Sequence, residues 1–153
     1  MKTSDNNAFQ ILQDALEKLL ANCVTEWLHQ RELIELKSAC HETIASLNDL
    51  KSRIDAINDD HFYFSPVMMA DRLICSHFRP FKIAIETKLP NIVSIALQVI
   101  HNLLVRGHFR GGFEYPGEQN QRTVDVLVRG VATCVGLSDP KVTLIIIIES
   151  LSQ

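Results

Sequence analysis

Apolar residues return every three or four positions along most of the chain, the period of helices with one buried face. The first run, Phe9, Leu12, Leu16, Leu19, Leu20 and Cys23, predicts a helix over about 9–23, with Ser4 or Asp5 placed to cap its start. A second helix is predicted over about 30–57 from Leu33, Leu36, Cys40, Ile44, Leu47, Leu50, Ile54 and Ile57. Glu35, Lys37, Glu42, Lys51 and Arg53 fill its opposite face as a solvated stripe. The two helices are expected to pack as an antiparallel pair, with Trp27 plugging their junction.

Beyond a polar-aromatic connector at 58–66, glycine and proline punctuate the pattern. Ser65-Pro66 reads as an N-cap followed by a first-turn proline, opening a short helix through Cys75. Pro80 opens or kinks the next, which runs to Lys88. Pro90 opens a longer one carrying Ile92, Val93, Ala96, Val99, Ile100, Leu103 and Leu104, and Gly107 is placed to end it in a left-handed conformation. Residues 107–121 hold four glycines and a proline and read as irregular. Helix resumes from about Gln121 on Val124, Leu127, Val128, Val131, Ala132 and Val135 up to Gly136, and again from Asp139-Pro140 to Leu151. No alternating strand pattern competes, so the expected class is all-α. Pro90 and Pro140 begin apolar helices about 50 residues apart, slightly longer than a HEAT or armadillo unit, so stacked helical repeats are the expected architecture.

Composition agrees with one ordinary globular domain over 1–153: 46% of residues are hydrophobic and 22% charged. A net charge of −3 supplies no general attraction for nucleic acid or an anionic membrane. The opening MKTSDNNAFQ has no apolar core of a signal peptide, and the apolar run 142–148 is far shorter than the ~20 residues that span a bilayer. The scattered cysteines Cys23, Cys40, Cys75 and Cys134 form no C-x-x-C pair, and read as buried reduced thiols, which points to a cytosolic setting. Because the chain stops inside an apolar helix, it is expected to be a piece of a longer protein.

No catalytic motif emerges: there is no P-loop, nucleophile elbow, H-E-x-x-H or dinucleotide fingerprint, and no cofactor or metal site is expected. The histidines are scattered, and Asp59-Asp60-His61 read as a loop cap rather than acid/base machinery. Arg106, His108 and Arg110 interleave with Phe109, Phe113 and Tyr115 in the glycine-rich segment. That mixture could stack on nucleic acid or tuck back on the helices; the preferred reading is part of a protein interface, since arginine and aromatics are usual anchors there.

Three blocks carry a resemblance. Arg79-Pro80-Phe81-Lys82-Ile83-Ala84, then Lys88-Leu89-Pro90-Asn91-Ile92-Val93-Ser94, then Leu103-Leu104-Val105-Arg106-Gly107-His108-Phe109 resemble consecutive helices of the N-terminal domain of the large BIG-type (brefeldin A-inhibited) Arf guanine-nucleotide-exchange factors. Ala15–Ala21 and Leu36–Cys40 are similar to that domain's first two helices. The connector after Ile57 is shorter than in many relatives. The resemblance implies a DCB (dimerisation and cyclophilin binding) domain with a HEAT/armadillo-like right-handed superhelix. It implies no catalysis in this chain, since the exchange-catalysing domain lies elsewhere. Further implications are self-association as a possible homodimer, contact with the neighbouring upstream homology domain, and capture of a GTP-bound Arf or Arf-like GTPase. The protein would then be cytoplasmic and peripheral on the trans-Golgi, touching membrane only indirectly. The expected interface is the polar face of helix 90–107, at Gln98, His101, Asn102 and Arg106, continuing to His108. The alternative is a generic HEAT-type scaffold from another trafficking or transport protein.

Overall fold

The computed structural model describes residues 3–57, 66–116 and 120–133. These form six α-helices: α1 (Thr3–Thr25), α2 (Ile34–Ile57), α3 (Pro66–Ser76), α4 (Arg79–Glu86), α5 (Pro90–Val105) and α6 (Thr123–Thr133), with a 3-10 turn at Trp27–His29. No strand occurs among the described residues, only an isolated antiparallel bridge between Glu114 and Arg122. The all-helical class is therefore as the periodicity predicts. Asp59-Asp60-His61, Ser65, Cys134 and the helix expected from Pro140 to Leu151 lie outside the described residues, as do the side chains of Trp27 and of residues 66–69.

Two helices organise the packing. α1 lies against α2, α3 and α5, its most extensive contact being with α5, whereas α4 lies against α2, α5 and α6. The α1 stripe of Leu12, Leu16, Leu19 and Cys23 is fully buried, as are Leu33, Leu36 and Cys40 at the start of α2. α5, in contact with both hubs, buries Ile95 and Leu97 as well as the predicted Ile92, Val93, Ala96, Ile100 and Leu103. Each fully buried aliphatic side chain stabilises by about 1.5–3 kcal/mol relative to exposure, so these stripes dominate the stability. Phe78 and Phe81 sit at the α3–α4 corner with ring centroids 5.9 Å apart.

Helix ends depart from the sequence expectations in two places. α1 begins at Thr3, ahead of the expected caps Ser4 and Asp5. α2 begins at Ile34 rather than near Gln30, because Gln30 closes the end of α1 instead: its amide nitrogen donates to the Cys23 carbonyl at 2.7 Å and the Glu26 carbonyl at 2.9 Å. The Cys23 carbonyl is a helix-terminal acceptor of α1, and the Glu26 carbonyl, just past the helix end, also accepts from the His29 N–H at 3.0 Å. Gly107 behaves as expected. At φ 77° it lets its own N–H donate to the Leu104 carbonyl (3.1 Å) and the His108 N–H to the Leu103 carbonyl (2.9 Å), a Schellman closure of α5. α4 stops at Glu86 because Leu89 precedes Pro90 and must be extended (φ −82°, ψ 118°). Lys88 turns left-handed (φ 58°) to make the corner.

Cys23, Cys40 and Cys75 are free and buried, as the sequence suggests. Burial pushes the Cys40 thiol up to about 12 and the Cys75 thiol up to about 11, and raises Cys23 as well. Thiolate is the reactive form, so these groups are chemically quiet while the protein is folded. Iodoacetamide at pH 8 followed by peptide mass mapping is expected to leave all three unlabelled in the native protein and labelled in urea. Native labelling of Cys40 would contradict the packing of α1 on α2.

Candidate protein-docking surface

α5 keeps one strip of its surface in solvent. Asn91, Gln98, Asn102, Val105 and Arg106 are exposed and Ser94 is half-buried, a succession that winds along a single helical face for about 22 Å at 1.5 Å per residue. The strip is tied internally by side chains four residues apart. The Gln98 amide donates to the Ser94 hydroxyl (3.3 Å) and Arg106 Nε donates to Asn102 Oδ1 (3.0 Å). Of the five residues expected there, the structure therefore gathers Gln98, Asn102 and Arg106. His101 is half-buried on the flank, and its Nδ1 is a buried atom without a hydrogen-bond partner. His108 leaves the strip: it is 8% exposed, because the left-handed turn at Gly107 reverses the chain and carries it inward.

The following segment corrects the interface reading of its aromatics. Phe109 is buried and stacks on Phe78, with centroids 5.5 Å apart and planes 11° from parallel. Tyr115 is buried with Lys82 Nζ 5.7 Å from its ring centre, and Phe113 is half-buried under Arg72 at 6.0 Å. Two of the three rings are thus core, and Arg110 and Glu114 are charged side chains that the segment shows to solvent. Irregular as its composition is, the backbone over 110–116 is well tied. The buried Asp71 of α3 accepts from the backbone N–H of Arg110 (2.7 Å) and Gly111 (2.9 Å) on Oδ1, and of Gly112 (3.4 Å) on Oδ2. Cys75 Sγ donates to the same Oδ1 at 3.6 Å. At the far side the Tyr115 N–H donates to the Gln121 carbonyl, the Thr123 N–H to Phe113 and the Val124 N–H to Gly111, at 2.8, 2.9 and 3.0 Å. Asp71 fits none of the motifs in the sequence; its only mark there is a lone carboxyl among apolar helix positions.

A second exposed element went unread at the α1–α2 junction. Val24, Leu28 and Ile34 are 71%, 72% and 64% exposed, whereas most large aliphatics among the described residues are buried. Between them, Glu26 accepts a hydrogen bond from the Asn91 amide at 3.4 Å, which joins this junction to the start of the α5 strip. The available signal was their position off the periodic stripe, since Val24 follows Cys23 and Ile34 follows Leu33.

His77 fastens α3 to α2. It is held between the Leu73 carbonyl (Nδ1, 2.7 Å) and the Ser46 hydroxyl (Nε2, 3.1 Å), and burial lowers its pKa against the opposing pull of the Leu73 carbonyl. Nδ1–H then donates to Leu73 and Nε2 accepts from Ser46, so the ring is a structural link. Among the described residues no group of three or more His, Cys, Asp or Glu side chains is placed to hold a metal ion, and no helix is long and apolar enough to cross a membrane.

No family model matches the chain, and no solved structure matches it. Curated proteins do. Brefeldin A-inhibited guanine nucleotide-exchange protein 1 of Bos taurus and of Homo sapiens are each 25% identical to it over 132 residues, as is that of Rattus norvegicus. The matched stretch takes in 80% of this chain and 7% of the length of those relatives. All-helical over its described residues, the chain is distantly similar to one short stretch of a large guanine nucleotide-exchange protein.

Proposed function

We propose that this chain is a non-catalytic regulatory domain of the DCB type, HEAT/armadillo-like in build, belonging to a large Arf guanine-nucleotide-exchange factor. The observation that carries the reading is the similarity over 80% of the chain to brefeldin A-inhibited guanine nucleotide-exchange protein 1. Its task is to bring the exchange factor to trans-Golgi membranes by binding a GTP-loaded Arf or Arf-like GTPase, alongside self-association and contact with the neighbouring upstream homology domain.

The docking surface we assign is the α5 strip together with the aliphatic junction at its start. A GTP-ordered switch region presents apolar side chains with a polar rim. Val24, Leu28 and Ile34 offer the apolar complement, and Gln98, Asn102 and Arg106 offer hydrogen bonds and one guanidinium. The unpartnered His101 nitrogen supports the choice of this flank, because places that forgo local stability are expected at functional surfaces. His108 is left out, since its ring is turned into the protein.

Pull-down of a GTP-loaded Arf-like GTPase tests the assignment. Asn102→Trp and Arg106→Glu, both at exposed positions, are expected to weaken capture about tenfold or more while leaving the thermal transition within about 2 °C. Arg53→Glu on α2 is the surface control, with a small effect expected on either measurement. Undiminished capture by both α5 variants would remove α5 from the interface.

A further inference from the structure

Lys88, at the corner between α4 and α5, is held in a conformation that its side chain disfavours. Among the described residues only Lys88 (φ 58°) and Asn120 (φ 65°) are left-handed without being glycine, and asparagine tolerates that region far better than lysine does. The corner is fixed on both sides. The Thr87 hydroxyl donates to the Ala84 carbonyl (2.7 Å) and accepts the Leu89 N–H (3.3 Å), while the Lys88 N–H donates to the Ile85 carbonyl (3.3 Å). Pro90 adds its demand for an extended Leu89. The backbone therefore cannot relax around Lys88, and glycine would fill the corner with less strain.

The side chain that this strain retains is an exposed cation. Glu86, two residues earlier, pairs with Lys82 at 3.3 Å, and the half-buried Glu26 accepts from the Asn91 amide at 3.4 Å. Other cations of the chain also lack an ion pair; the left-handed backbone sets Lys88 apart from them. So does its place. Asn91 follows three residues later, within about 11 Å by chain length alone. Through Glu26, Asn91 is where the α5 strip meets the aliphatic junction. From Thr87 to Phe113 this acidic chain has no Asp or Glu, so Lys88 and Arg106 bracket a strip whose own side chains carry no negative charge.

We infer that Lys88 is a specificity-determining residue of the docking surface, one that meets a carboxylate on the rim of the bound GTPase. The inference rests on the GTPase reading of the α5 strip and names a contact that reading lacks. Backbone conformations held against local preference gather where a function uses them. An ammonium on a flexible four-carbon stem can reach a carboxylate beyond the edge of the strip. A lipid headgroup is the poorer match. One lysine adds only a weak attraction to an anionic bilayer, and the net charge of −3 opposes it.

Biolayer interferometry of the full chain on an Arf-like GTPase loaded with a non-hydrolysable GTP analogue tests this, beside thermal unfolding of the same variants. Lys88→Gly is expected to raise the melting temperature by about 2 °C or more and, at low ionic strength, to slow association about fivefold. Lys88→Asn keeps a residue that accepts the left-handed corner while removing the charge, and should slow association as much. Both differences should vanish at about 0.5 M salt, and Arg53→Gln on α2 should associate as the wild type does. A gain in stability with a loss of binding is the signature, since a lysine that serves only the fold would lose both together. Undiminished association of both Lys88 variants, a lower melting temperature for Lys88→Gly, or the same slowing at about 0.5 M salt overturns the inference and leaves the GTPase reading standing. A wild-type chain that associates with no GTPase, or only with phosphatidylserine vesicles, overturns that reading and this inference together.

Discussion

Replacing Asp71 with alanine is expected to destabilise the protein by about 3–5 kcal/mol, roughly 6–20 °C in the melting temperature for a chain of this length. The residue is 6% exposed, and it accepts from three successive backbone N–H groups of a segment some 40 residues away. Alanine would leave the Arg110 and Gly111 donors without a partner, Gly111 being buried, and each stranded donor costs about 1–3 kcal/mol. The Cys75 thiol would lose its acceptor too. Asp71→Asn keeps one oxygen for the two short bonds on Oδ1 and gives up only the longer Gly112 contact, so it should cost much less, about 1–2 kcal/mol. Urea unfolding of both variants checks the ordering. An alanine variant as stable as wild type would mean that the segment holds itself without α3.

Gly111→Ala is expected to cost about as much, for a different reason. Gly111 sits at φ 71°, where a side chain adds about 1–2 kcal/mol of strain. A Cβ built there would also lie 2.7 Å from the backbone nitrogen and Cβ of Val124 and 2.8 Å from its Cα. Backbone cannot swing aside as a flexible side chain can, so the start of α6 must move and strain the Val124 N–H bond to the Gly111 carbonyl. Together these make about 3–5 kcal/mol. Gly107 separates the two contributions: its φ is 77°, yet nothing lies within 4 Å of an added Cβ. Gly107→Ala should therefore cost only about 1–2 kcal/mol. Equal losses at the two sites, measured as urea midpoints, would show that conformation alone matters and that the close approach of Gly111 to α6 does not.

What could be read from the residues alone was whatever depends on neighbours in sequence. Leu12, Leu16, Leu19 and Cys23 recur with the helical period and are all buried, and Gly107 and Pro90 mark ends that local backbone chemistry dictates. What escaped depends on contacts across the chain. Gln30 looks like the first turn of α2 until its amide is seen closing α1. Asp71 and Gly111 are 40 positions apart, and nothing in either neighbourhood announces the bond between them. For the same reason the 107–121 segment reads as irregular although its described part is pinned at both sides, and Phe109 reads as an interface anchor although Phe78 covers it. Along α5, spacing is enough to place Gln98, Asn102 and Arg106 on the exposed face, because exposure on a helix follows its period. It could not place His108, which lies past the left-handed turn where the period no longer holds. Val24, Leu28 and Ile34 stand off the periodic stripe, a mark too weak to read alone, since Ile95 and Leu97 also stand off the predicted stripe of α5 and are buried.

The central claim is that this chain docks a GTPase and discriminates its nucleotide state. Isothermal titration of the whole chain with an Arf-like GTPase, loaded once with a non-hydrolysable GTP analogue and once with GDP, tests it most directly. A preference of about tenfold or more in Kd for the GTP form is predicted, within the 5–150-fold span of coupling between two protein states. Equal affinity for both forms, or no heat with either, would contradict it.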